Sequence, residues 1–447
     1  MTPPPSDPFP VTAPMPVLSS APPWKDTFSS LRVPNFRLFT SANIVAMTAL
    51  WIQRIAQDWL VLELSGSVAA VGLTVALQFA PMLFLGLYGG VLVDRYSKRM
   101  LLAITQSVSL LASVALAVLA LTGVVEVWHI MLVALVVGLA TVIDNPTRQV
   151  FVNELVGPKY LRNAISLNSS VFQLGALIGP AIGGVLLVSV GAGWSFAINA
   201  VACLGVVITV LRLNPATLYP APVAPRAKGQ LKEGLSYVLA KPTILWTVVM
   251  VAFVAVFALN MPVLLAAYAS DVFDSGPGGY GLFNSLVAVG ALAGAVLSTR
   301  RTSIRLRAVV ITGLAWGTIQ AIVSGAPTEP VVCVLLVLVG FCTLQFLTGA
   351  NQLIQLSSNV SIRGRVMSVY VLVLLGGQAL GGPLMGWLVE SYGPQFGMLV
   401  SGVVPAAAAL VVGVLLARSG RFTVRLRRRL PLVAIVQHQQ TGSRAIC

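Results

Sequence analysis

"LIGPAIGG" at residues 177–184 returns as "LGGPLMGW" at residues 380–387, which sets Pro180 on Pro383 and Gly179 on Gly382, 203 positions apart. The same spacing sets Arg162 on Arg365, each eighteen residues ahead of its proline. "GLYGGVLVDR" (86–95) matches "GALAGAVLST" (290–299) at a spacing of 204, with Gly86 on Gly290 and Gly90 on Gly294. Three markers that agree to within one residue make the chain an internal duplication, and such self-similarity fixes the architecture before any single element does.

Composition says what is duplicated. The 447 residues are 57% hydrophobic and 9% charged, with a mean hydropathy of +0.90, whereas soluble chains carry about 25% charged residues. The apolar residues fall into blocks of about 17–25, the length that crosses a bilayer as a helix. Twelve blocks can be drawn, beginning at 38–62, with 127–146 the fourth, 366–388 the eleventh and 395–417 the last. The expected fold class is an all-α polytopic membrane protein with twelve transmembrane helices in two six-helix pseudo-symmetric halves, 34–211 and 243–417. An even number of spans in each half makes the repeats parallel, about an axis along the membrane normal. Secondary transporters use this arrangement, with a substrate site near the midplane between halves. Residues 1–33 are expected to be a disordered, proline-rich cytoplasmic arm, and the first 24, which lack a basic n-region, are not read as a signal peptide. The linker over 212–242 ends in "QLKEGLSYVL" (230–239), an amphipathic pattern suited to a membrane surface. Residues 418–447 form a basic cytoplasmic tail, whose "RFTVRLRRRL" (421–430) suits anionic lipid.

The net charge of +15 could point to nucleic acid, but its placement points to a membrane. With the spans as drawn, every Lys and Arg except Arg54 lies in a terminus or in loops on one side. The opposite loops carry Glu63, Glu126, Asp271, Asp274, Glu329 and Glu390 without a basic residue. That asymmetry is the positive-inside rule, and it predicts a multi-pass protein of the cell (inner or plasma) membrane with both termini cytoplasmic. No nucleic-acid partner is expected. The four cysteines show neither metal spacing nor a disulfide framework, so no metal and no cofactor are expected. The chain has no GxxxxGK[ST] loop for ATP, no HExxH and no GxSxG, and is not expected to be an enzyme.

Three stretches carry chemistry. In "GLYGGVLVDRYSKRM" (86–100), Gly86 and Gly90 let a neighbouring helix approach, and Asp94, Arg95, Lys98 and Arg99 crowd a short loop. Read blandly, this is a basic turn; read sharply, it is an ion-pair latch between helix ends that breaks on inward opening. In "GALIGPAIGG" (175–184), Gly175, Gly179, Pro180, Gly183 and Gly184 set a proline within a glycine rhythm. Such a face is flat and freed of one backbone hydrogen bond; the plainer reading is generic small-residue packing. The copy in the eleventh span keeps Gly382, Pro383 and Gly386 but has Trp387 in the last place. In "ALWIQRIAQDWLVLEL" (49–64), charges interrupt a span, and a charge at the bilayer centre costs about 2.5–3.5 kcal/mol on insertion scales. Asn43, Met47, Leu50, Arg54, Gln57 and Asp58 share one helix face, by steps of three and four residues. Arg54 and Asp58 are then either a neutral structural pair or a cavity-wall pair in which Asp58 takes up a proton or both residues shape the outward gate. Asn260 and Gln345, each a polar group within an apolar span, fit a lined cavity or interhelical glue.

The chain resembles the major facilitator superfamily. Its signature between spans 2 and 3 is Gly, three residues, Asp, a basic residue, one residue, Gly and two basic residues; Gly90, Asp94, Arg95, Lys98 and Arg99 match it, with Ser97 in place of the second glycine. The Gly-Pro stretch resembles that superfamily's antiporter motif. "DNPTRQVFVNELV", "LRNAISLNSSVFQLGALIGP" and "RGRVMSVY" look like the branch containing enterobactin-exporter and macrolide-efflux proteins, over most of residues 33–417. The resemblance implies the major facilitator fold, spans 1, 4, 7 and 10 lining a cavity, and a cytoplasmic gate in which Asp94 meets the eleventh span and Lys98 pairs with an acid of the fourth, for which Asp144 is placed. The arginine common in the fourth span of other drug–proton antiporters is missing from "VALVVGLATVID" (133–144). The function expected is a secondary active transporter exporting a small amphipathic molecule (drug, antibiotic or siderophore) by proton antiport with alternating access. Its expected partners are that molecule, protons and membrane lipids. The alternatives are a transporter-like membrane sensor or interaction protein, and an importer on the same fold.

Overall fold

The computed structural model describes residues 28–219, 230–298, 305–359, 362–418, 422–426 and 433–437. The first half holds α1 (Pro34–Ser65), α2 (Val68–Arg95), α3 (Lys98–Leu121), α4 (Val127–Gly157), α5 (Asn163–Ser189) and α6 (Ala192–Arg212). A linker helix, α7 (Gln230–Ala240), precedes the second half. That half holds α8 (Pro242–Val272), α9 (Gly276–Ser298), α10 (Leu306–Ser324), α11 (Glu329–Ser357), α12 (Arg363–Tyr392) and α13 (Pro394–Arg418). Eleven of these helices are long and apolar enough to cross a bilayer; α1, 32 residues long and interrupted by Arg54 and Asp58, completes twelve. Outward-facing Phe84, Leu111 and Val201 are each more than two-thirds exposed, as expected of a surface that meets lipid.

Helix ends follow local rules. α1 stops at Gly66, whose φ of 62° is left-handed and whose N–H reaches the Leu62 carbonyl. Ser67 then caps α2 by accepting the Ala70 N–H at 3.2 Å. Glu126 and His129 cap α4 reciprocally, so His129 is a structural group. The fourth span was expected to end at 146 and to give way to a basic loop. Instead α4 runs on through Pro146 to Gly157, a break with φ 66° closed over by the Tyr219 ring. The arm also differs from expectation at its end: Ser29–Arg32 forms a short 3-10 helix, and buried Ser30 hydrogen-bonds Asn163 on α5. Residues 1–27 lie outside the described residues. The tail holds two strands, β1 (Phe422–Leu426) and β2 (Val433–Gln437), paired antiparallel.

Each half is pinned inside by one amide-centred polar group, and the two match across the pseudo-axis. In the first half, Gln53 on α1 accepts from Ser113 on α3 at 2.8 Å and from Asn199 on α6 at 2.7 Å. In the second, Gln320 on α10 donates to Ser401 on α13 at 2.8 Å and reaches the Ala258 carbonyl on α8 at 3.5 Å. All five side chains are buried. Glycines set the closest helix pairs: Gly138 of α4 lies on the Leu77 and Gln78 carbonyls of α2, and Gly340 of α11 on the Val287 carbonyl of α9. Gly89 meets α4 at Val142, whereas the atoms nearest Gly86 belong to Met82 of its own helix.

A methyl group at Gly340 would collide with backbone, whereas at Gly205 it would meet nothing within 4 Å. Gly340→Ala should lower stability by about 1–3 kcal/mol, while Gly205→Ala should leave it unchanged or raise it slightly. Thermal denaturation of the purified protein in detergent reads both.

Candidate functional site

Two polar assemblies stand at opposite ends of the bundle. The first is at the face bearing the basic residues. Arg148, near the end of α4, grips Asp144 one turn earlier (Nε–Oδ2 2.5 Å) and reaches Asn43 on α1 (Nη1–Oδ1 2.6 Å). Asp144 also accepts from Thr105 and Gln106 of α3, each at 2.9 Å. Asn43 passes the network to Asn168 on α5 at 3.2 Å. Every bond stays within the first half, so Asn43 is glue between helices. The expected Lys98–Asp144 pair is not made: Arg148 occupies Asp144, and Lys98 meets Glu154 on α4 at 3.6 Å. Arg99 donates to the terminal carbonyls of α6, Val210 (2.8 Å) and Leu211, where a cation complements the negative end of the helix dipole. Arg95 is exposed, and the surroundings of Gly90 and Asp94 lie outside the described residues.

On the second half, α7 docks on the start of α12. Glu233 pairs with Arg365, Gly234 sits on the Arg365 carbonyl, and the Tyr237 hydroxyl accepts the Asn359 N–H at 3.1 Å. Tyr237 and Val238 are buried, which gives the amphipathic helix a protein seat.

The second assembly joins the halves near the acidic face. The Tyr280 hydroxyl of α9 donates to Oδ2 of Asp58 on α1 at 3.3 Å, and the Tyr280 ring stacks on Trp59 with centroids 5.8 Å apart. Gly184 of α5 meets Gly281 of α9 backbone to backbone; Gly382 and Gly386 of α12 meet Gly72 and Ala69 of α2. Ser67 donates to Glu390 at 3.1 Å. Arg54 and Asp58 form no ion pair within 4 Å among the described residues. The Arg54 guanidinium lies over Trp51 (5.0 Å) and Phe79 (5.7 Å), while Asp58 turns to the other half. Asp58 Oδ1 and Gln57 Nε2 are buried without a hydrogen-bond partner.

The Gly-Pro stretch and its copy do different work. Gly175, Gly179 and Gly183 lay α5 on α1, against Met47, Trp51 and Ile52, within one half. Aligned Gly382 instead faces across the halves, and the matching α12–α8 contact falls to Gly377 and Gly381. Pro180 and Pro383 both lie inside helices that continue past them. Asn260 sits at a break in α8 between two π turns, Val254–Ala258 and Tyr268–Val272, and donates to the Ala255 and Val256 carbonyls. Gln345 donates to the Gly294 carbonyl at 3.2 Å and so joins α11 to α9. No group of His, Cys, Asp and Glu that could hold a metal occurs among the described residues.

Sequence reasoning missed Arg148, Glu154 and Tyr280. The four-residue step from Asp144 to Arg148 was visible, but Pro146 suggested a helix end between them. Nothing local marks Tyr280, whose partner is 222 positions away.

Twelve helices in two matched halves, closed against each other at one face, define a membrane transporter of the major facilitator type. The solved structures agree on fold: the nucleoside transporter NupG superposes with a TM-score of 0.67 at 16% identity, covering 85% of this chain and 98% of that one. A D-xylose-proton symporter gives 0.64 at 15% identity, covering 84% and 96%. The model of the transmembrane secretion effector family matches residues 25–442, and the chain belongs to that family. Among curated relatives, the multidrug efflux pump Tap of Mycolicibacterium fortuitum is 30% identical, covering 80% of this chain and 89% of its own. The enterobactin exporter EntS of Salmonella choleraesuis (strain SC-B67) is 26% identical, covering 82% and 88%.

The buried pair gives a two-sided test. Arg148→Met strands Asp144 and should destabilise by about 3–5 kcal/mol, while Arg148→Met with Asp144→Leu should recover most of the loss. Melting curves of the two variants check this.

Proposed function

We propose that the chain exports a small amphipathic molecule, a drug, antibiotic or siderophore, by proton antiport with alternating access. The names of Tap and of EntS describe such export for those relatives. The observation that carries the reading is the Asp58–Tyr280 bond, which ties a membrane carboxyl group to the contact between halves. Parting the acidic faces breaks that bond together with the Trp59 stack and the glycine contacts, and exposes Asp58 on that side. Asp58 keeps one free carboxylate oxygen, so it can take a proton without giving up a bond. Arg54, one turn earlier, and the adjacent Gln57 complete the polar wall of the path, and Asn43, Asn260 and Gln345 hold its helices in place.

The basic face is the cytoplasmic one in this reading, with both termini there. Gly90, Asp94, Arg95, Lys98, Arg99 and Asp144 form the cytoplasmic gate. The Lys98–Glu154 and Arg99–α6 ties stiffen the rim on which Asp94 stands. Gly175, Gly179, Pro180, Gly183 and Gly184, with Gly382, Pro383 and Gly386, provide flat faces on which helices and halves move as bodies. The partners are the exported molecule, protons and lipid.

Asp58→Asn in proteoliposomes should abolish efflux driven by a pH difference and spare substrate counterflow. pH-driven efflux at the unmodified rate would return Asp58 to a structural role. Asp94→Asn should collapse efflux from cells while expression stays intact, and undiminished efflux removes the gate assignment.

A further inference from the structure

A cleft of about 680 Å3 opens at the acidic face, and neither Arg54, Gln57 nor Asp58 lines it. Both halves build it: Trp59 and Glu63 come from α1, Leu121 from α3 and Leu187 from α5, while Asp271 and Pro277 come from the α8–α9 corner of the second half. The volume suits a small organic molecule, since ligand sites commonly measure about 300–1,000 Å3. The charge is one-sided. Glu63 and Asp271 are exposed carboxylates, Ser270 donates to Asp271 Oδ1 at 2.5 Å, and no Lys or Arg lines the cleft. The remaining wall combines leucine, valine and alanine side chains with the backbone of Gly66, Gly191 and Gly193, and the Trp59 ring there stacks on Tyr280 beneath.

We propose that this cleft binds a cationic amphiphile, with its charge between Glu63 and Asp271 and its apolar body against the leucine wall, and that an occupant holds the acidic faces of the two halves together. The two carboxylates focus potential on a cation. The aliphatic wall favours a cation with a hydrophobic body over a small hydrated ion. Because the walls belong to different halves, a molecule touching both loses contacts when they part. It therefore favours the closed arrangement by its differential affinity. The site is read by binding alone and stands whether or not Asp58 carries a proton.

The test uses the full chain in nanodiscs of zwitterionic lipid, with tetraphenylphosphonium as probe. Saturable binding is expected, weakened at least tenfold by Glu63→Gln with Asp271→Asn, two exposed positions whose exchange leaves the core intact. Equal affinity in that double variant overturns the site. Glu329→Gln, on the same face and outside the cleft, should leave affinity unchanged; a matching loss there reduces the effect to general surface charge and overturns the proposal. Tetramethylammonium should bind at least tenfold more weakly than tetraphenylphosphonium, and equal binding removes the apolar seat. Hydrogen exchange should slow on both 189–193 and 272–277 with the probe bound, and protection confined to one half overturns the clamp.

Discussion

A polar group buried in hydrocarbon has no water to fall back on, and leaving it unpaired costs several kcal/mol. That constraint organises this protein. Gln53 and Gln320 each sit inside a six-helix half where only a partner on another helix can satisfy them, and each finds partners on two other helices. The amides fix which helices are neighbours and in what register. Apolar packing could not, because lipid tails are as apolar as leucine. Arg148 and Asp144 apply the same logic at higher stakes, since each is tolerable there only with the other.

Between the halves the rule is reversed. The contacts near the acidic face include glycine backbones laid against small residues, the Trp59–Tyr280 stack, and hydrogen bonds from Tyr280 to Asp58 and from Ser67 to Glu390. Glycine surfaces pack closely yet carry little that must be replaced when they separate. A half tied together by amide hydrogen bonds and an interface rich in small residues give two bodies with a seam that can part.

The duplication, the span count and the linker helix could be read from residues alone, because they rest on periodicity and on the length of apolar blocks. The glycine stretches were equally visible, but not their assignment. Gly179 and Gly382 align in sequence while one packs within its half and the other across, since the six-helix units meet through different faces of α5 and α12. Side-chain pairing was the least legible layer. Lys98 read as the partner of Asp144, but Arg148 occupies that carboxylate and Lys98 meets Glu154. Arg54 and Asp58 read naturally as a pair four residues apart, but an aromatic pocket and a distant tyrosine separate them.

The linker is anchored at both ends to different bodies. Tyr219 donates its N–H to the Glu154 carbonyl and covers Gly157 on the first half, while α7 is fastened to α12 on the second. A tilt of one half against the other therefore changes the separation between Ala216 and Leu235, both of which are exposed. Spectroscopic labels at those two positions act as built-in calipers, reporting the angle between the bundles from a place where attaching a dye disturbs neither.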